Sequence, residues 1–144
     1  GSISSVVRSS APKALRSWTS ATSTLFLTGS VKSGITSESA ITKFSSAFAP
    51  TWTTRIASTG VQQAANGPNK SFYVALEPTA AIKGITPTKL AKGQSVILQF
   101  DSKGLLIAAF TSPELSQVKS ISYSQIGGLF IDSANGIFRV GVTK

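Results

Sequence analysis

Residues 95–110, SVILQFDSKGLLIAAF, constrain the fold of this chain more than any other stretch. Two apolar runs of strand length flank a four-residue polar break. Short apolar runs bounded by turn residues read as buried strands. Asp101-Ser102-Lys103-Gly104 suits a type I turn with Gly104 left-handed as a bulge. That turn predicts Phe100 opposite Leu106, Leu98 opposite Ala108 and Val96 opposite Phe110, one apolar face for the intramolecular core. The reverse face carries Ile97, Leu105, Ile107 and Ala109, broken by Gln99, and needs a cover from elsewhere in the chain or from a second subunit.

Other segments follow the same punctuation. Residues 23–29 read as a strand. In 51–58, Trp52, Thr54 and Ile56 alternate with Thr53, Arg55 and Ala57, and in 71–77 Phe72, Val74 and Leu76 share one face, the period of half-buried strands. Residues 36–48 read as a helix: Thr36 or Ser37 caps it, Glu38 complements its positive end, Ile41, Phe44 and Phe48 fall on one face, and Pro50 stops it. Residues 78–94 form a long connection with two prolines and two glycines. A further short strand is read in 118–124, followed by a flexible Gly127-Gly128. In 128–142 an Asn135-Gly136 hairpin predicts Asp132 opposite Arg139, with Leu129, Ile131, Phe138, Val140 and Val142 facing the core. About eight strands and no strand-helix rhythm predict an all-β, antiparallel two-sheet sandwich of jelly-roll or Greek-key type with one short inserted helix. Gly1-Ser2 reads as a cloning scar and 3–144 as one domain, with 3–20 as an arm.

Composition narrows the chemistry. The chain has 144 residues, 13% of them charged, about half the usual share, with hydroxyls supplying the polarity. It has no Cys and no His, so a Ser-His-Asp triad, a thiol nucleophile and the common zinc and haem ligand sets are excluded within it. The five acids, Glu38, Glu77, Asp101, Glu114 and Asp132, stand far apart in sequence. Glu77 with Glu114 is the spatial pair left open for acid-base work, and Asp101 with Asp132 for a calcium site between subunits. The reading is a non-enzymatic protein with no cofactor, no metal and no membrane span. Asn69-Lys70-Ser71 matches a glycosylation sequon, relevant only to a secreted protein.

Net charge is +9, and its basic residues are scattered. Candidates for polyanion contact, including RNA, are Arg8, Lys13 and Arg16 near the start and Lys83, Lys89 and Lys92 in the long connection. Trp18 and Tyr123 are the candidates for an exposed aromatic contact with a ligand, while Trp52 and Tyr73 lie in strand patterns and belong to the core.

The basic, proline-interrupted opening VVRSSAPKALRSW and the strand, long loop and strand of KSFYVALEPTAAIKGITPTKLAKGQSVILQF resemble the coat proteins of small icosahedral RNA viruses, or a projecting domain of one. The opening is less basic than in many such families. The resemblance implies a capsid shell or surface-projection domain of the virion, or an extracellular one, acting by self-assembly as a homo-oligomer and by attachment to a host receptor or glycan. No site residue is carried over from it. From the residues themselves, Ile97, Leu105, Ile107 and Ala109 are the expected assembly interface. The alternative is a carbohydrate-binding or adhesive β-sandwich module using Trp18 and Tyr123.

Overall fold

The computed structural model describes residues 17–21, 24–33, 36–82 and 90–141. Ten strands follow in order: β1 (Ser17–Ala21), β2 (Thr24–Ser33), β3 (Thr36–Phe44), β4 (Pro50–Asn66), β5 (Phe72–Pro78), β6 (Gln94–Phe100), β7 (Leu106–Ser116), β8 (Ser120–Ser124), β9 (Gly128–Ser133) and β10 (Gly136–Val140). A 3-10 turn, Pro68–Lys70, separates β4 from β5. The first seven strands form one antiparallel sheet in sequential order, and β10, β9 and β8 form a second. The fold is all-β with two antiparallel sheets, as expected. The described strands run as meanders, however, and none of their pairings is a jelly-roll or Greek-key crossover.

β4 belongs to two halves of the large sheet. Its first part pairs with β3 and its second with β5, and the β5 register slips around Gly60, whose φ is 143°. Such bulges add twist and bend a strand. The sheet consequently folds over itself. Ile41, Trp52 and Ile56 from the β3–β4 half pack against Phe72, Val74, Leu76, Val96, Leu98 and Phe100 from the β5–β7 half. Trp52, Phe72 and Phe100 stack in a row, with ring centroids 6.1 and 5.4 Å apart.

The opposite face of β5 and β6 builds a second core. Tyr73, Ala75 and Ile97 meet Leu115, Val118 and the inner face of the small sheet, Ile121, Leu129 and Ile131. Gln62 Oε1 joins the layers by accepting from Ser95 Oγ at 2.8 Å and from the Val118 N–H at 3.1 Å. β5 and β6 are thus covered on both faces, and Phe72–Leu76 and Ser95–Leu98 are all buried. A strand covered twice gains nothing from alternating polar residues, so its sequence becomes a continuous apolar run. Of the reverse face expected for 95–110, Ile97 is covered by the chain's own small sheet.

Four sequence expectations change. Thr36–Phe44 is a strand paired on both edges, not part of a helix. Ser, Thr, Ile and Phe are weak helix formers, and Ser39, Ala40, Ile41 and Thr42 are all buried, which erases the two-residue period. Phe44 and Phe48 still stack at 5.0 Å, but across a turn in which Phe48 donates to the Ser45 carbonyl and takes φ 58°. Pro50 opens β4 instead of ending a helix.

The turn at 101–104 forms as expected. Gly104 has φ 83° and donates to the Asp101 carbonyl, while Asp101 Oδ1 accepts from the N–H groups of Lys103 and Leu105 at 2.8 and 2.9 Å. Phe100 pairs with Leu106, but Ile107 is then an extra residue, so Ala108 pairs with Gln99, Ala109 with Leu98 and Phe110 with Ile97. One inserted residue exchanges the faces of everything beyond it. Ala109 therefore packs on the first core and Phe110 on the second.

The last hairpin turns at Ala134-Asn135, with Gly136 paired to Ser133. Its turn is docked onto the end of β7: Ala134 N–H donates to the Ser116 carbonyl and Asn135 Nδ2 to the Glu114 carbonyl, at 3.0 and 2.9 Å. Pairing moves by two residues, which preserves the faces. Leu129, Ile131, Phe138 and Val140 reach the second core as expected, whereas Val142 lies outside the described residues. Asp132 faces Ile137 instead of Arg139, and Arg139 Nε donates to the Gly127 carbonyl at 2.6 Å. Gly128 is buried at φ 86°, and a Cβ there would lie 2.5 Å from the Val140 carbonyl oxygen. It is a close-approach glycine, not a loose joint.

Candidate functional site

Of the four residues expected at an assembly interface, the structure separates two from two. Ile97 is wholly buried and Ala109 half-buried against the first core, so Ile97 is closed to any partner. Leu105 and Ile107 are 61% and 54% exposed. The turn accounts for the first and a bulge for the second. The left-handed Gly104 turns Leu105 outward, and Ile107 is the bulge residue that pairs with nothing on β6.

These two side chains border an edge that pairs with no other described strand, because β7 is the last strand of its sheet. Alternate N–H and C=O groups of such a strand face outward without a ladder partner. Beside it, between β7 and β10, runs an open groove of about 350 Å³ whose lining includes Phe110, Leu115, Phe138, Val140 and, at its rim, Arg139. The edge is short. The bulge at Ile107 interrupts it at one end, and Pro113, which has no N–H, interrupts it at the other.

The aromatic candidates fare differently. Trp18 lies on β1 opposite Leu27. Tyr123 is half-buried against Tyr73, ring centroids 6.1 Å apart, so part of its ring belongs to the core. Burial, and after it the neighbouring Tyr123, raises the Tyr73 hydroxyl above the ordinary tyrosine value. The folded state therefore keeps this proton longer than the unfolded chain does. Its stabilising contribution is whole below about pH 10 and is lost as pH rises from there through the folded value. Urea midpoints of the native protein are expected to fall above pH 10 more steeply than those of Tyr73→Phe, and parallel curves would refute the assignment.

The carboxylates do not assemble a reactive centre among the described residues. Glu77 Oε1 accepts from the Gly93 N–H at 2.9 Å and lines a polar cleft of about 390 Å³ that Glu114 does not line. Glu38 pairs with Arg55 at 3.6 Å, and Asp101 holds its own turn. No group of three metal-ligating side chains occurs among the described residues. No described helix is long and apolar enough to cross a membrane.

Of the polyanion candidates, Lys92 is exposed beside the Glu77 cleft, while Arg8, Lys13, Arg16, Lys83 and Lys89 lie outside the described residues. Sequence reading misses a different basic group. Lys43 Nζ donates to the Ser102 carbonyl at 2.8 Å, next to exposed Lys103. The register pairing Phe72 with Phe100 brings exposed Lys70 to that same end of the sheet. Three segments separated by 27 to 60 residues meet here, which no local pattern announces.

Compared with family models, curated proteins and solved structures, the chain matches none. The described residues form a small all-β domain without a group of three metal-ligating side chains, which is consistent with a structural or binding module.

Proposed function

We propose that this domain is a non-enzymatic structural module that associates with copies of itself through the β7 edge, as a shell or surface-projection domain of a particle does. The observation that carries the reading is the coincidence of Leu105 and Ile107, both more than half exposed, with a strand edge that no other described strand pairs. A second copy supplies what that edge lacks: backbone acceptors and donors in register, and apolar side chains of equal kind. Antiparallel pairing of β7 with its own copy is two-fold and self-limiting. The bulge at Ile107 and Pro113 confine pairing to a few residues, which favours a closed dimer over an open fibre. The groove beside β7 lets the contact extend past the backbone towards the roughly 1,200 Å² that stable interfaces bury.

Placement in a virion or outside the cell belongs to this proposal, as does host attachment. The carbohydrate-binding alternative through Tyr123 is less well supported, because that ring is packed on Tyr73. Sedimentation over a concentration series tests the assembly reading. A reversible dimer or larger closed oligomer is expected, and Ile107→Lys, at an exposed position, is expected to raise its dissociation constant about tenfold or more, through reduced apolar burial and like-charge repulsion. A protein that stays monomeric up to about millimolar concentration, where even weak association of this energy would register, overturns the reading.

A further inference from the structure

We infer that the end of the middle layer formed by the 101–104 turn and the Pro68–Lys70 turn is a binding surface for a sulfated polysaccharide. Lys43, Lys70 and Lys103 converge there from three strands' ends. Lys43 is held in place by the Ser102 carbonyl, and Trp52 Nε1 donates to that same oxygen at 3.4 Å, so this ammonium is positioned before any ligand arrives. Lys70 is displayed on a turn in which it and Asn69 both take left-handed φ values, 60° and 52°.

Little opposes these charges. Between Glu38 and Glu77 the sequence has no acidic residue. The nearby carboxylate, Asp101, turns Oδ1 onto the N–H groups of Lys103 and Leu105. The surrounding surface is hydroxyl-bearing, with Thr51 and Thr53 exposed on β4. Polyanions are drawn to such a site by charge and counterion release.

The aromatic geometry decides which polyanion. Single-stranded nucleic acid binds by stacking its bases on open aromatic faces. Trp52 offers none here: one face lies against Gly104, where a Cβ would sit 2.8 Å from the ring, and Phe72 stacks at 6.1 Å. Lysines and hydroxyls around a covered Trp52 suit a sulfated sugar chain. This site is separate from the β7 edge contact and stands whether or not the domain self-associates.

The test compares two double variants of equal charge. Lys70→Gln with Lys103→Gln removes two charges at this end. Lys92→Gln with Lys119→Gln removes two exposed charges at the opposite end, where Gln94 pairs with Ser116. Binding to heparin, chemically desulfated heparin and a single-stranded RNA of mixed sequence is measured at about 0.15 M salt, where surface charges act over about 8 Å. The native protein is expected to bind heparin and not the desulfated form. The first pair is expected to weaken heparin binding about tenfold or more and the second less than about threefold, since each ammonium that neutralises a sulfate adds its own share of counterion release. Equal weakening by both pairs would reduce the effect to net charge and overturn the site. Failure to bind heparin, or tighter binding of RNA with the same lysine dependence, would overturn it as well.

Discussion

Ile97→Ala and Leu98→Ala are each expected to destabilise the protein by about 3 kcal/mol, the usual loss for emptying a buried aliphatic site. The two residues are neighbours on β6 with opposite directions, and both are completely buried, Leu98 in the folded large sheet and Ile97 under the small one. Ile107→Ala, on the adjacent β7 and more than half exposed, is expected to change stability by no more than about 0.5 kcal/mol. Urea unfolding followed by tryptophan fluorescence measures all three, with the midpoint falling and the slope unchanged in the first two. A loss below about 1 kcal/mol for Ile97→Ala would mean that the small sheet does not cover β6, and the three-layer arrangement would fail with it.

Gly128→Ala is expected to cost about 3 kcal/mol or more, combining a left-handed backbone, worth roughly 1 to 2 kcal/mol for a residue with a Cβ, with a steric clash. The clash is against backbone: the new methyl would lie 2.5 Å from the Val140 carbonyl oxygen, and a carbonyl on a paired strand cannot rotate aside as a side chain can. Relief requires β10 to move off β9. The exposed Gly141, where a Cβ would meet nothing within 4 Å, supplies the control, and Gly141→Ala should remain within about 0.5 kcal/mol of the native protein's stability. Thermal melts monitored together with binding of a hydrophobic dye separate global loss from local undocking. Dye binding that rises before the main transition in Gly128→Ala would report exposure of the Tyr73 and Ile97 face. An unshifted melt would refute the close approach.

The parts of this fold that are legible in the sequence are those governed by short-range chemistry. Asp101 and Gly104 specify their turn within four residues, and the alternation in 51–58 and 128–133 marks strands. Leu105 reads as outward-facing because Gly104 beside it decides its direction, whereas Ile107 is exposed through the bulge. Three kinds of information are not local. A strand buried on both faces shows no alternation, so β3, with its hydroxyls and its Ile41 and Phe44 at helical spacing, reads as a helix until β2 and β4 are known to flank it. A bulge has no sequence signature of its own, and the single extra residue at Ile107 redirects Ala109 and Phe110. Finally, whether Ile97 meets solvent or core depends on where residues 120–140 dock. The basic cluster of Lys43, Lys70 and Lys103 is of the same kind, since charge scattered along a chain becomes dense only after the sheet brings the turns together.

The sequential strand order has a kinetic side. Every strand in both sheets is paired to its neighbour in the chain, so most pairings close loops of only a few residues, and even the connection from Pro78 to Gln94 adds little because closure entropy grows with the logarithm of length. Such a topology keeps contact order low for an all-β protein. The interactions with large sequence separation belong to the stacking of layers, with Gln62 reaching Val118 and Lys43 reaching Ser102. Hairpin growth is therefore entropically inexpensive in this chain, and the search during folding is concentrated in fitting finished ribbons against one another.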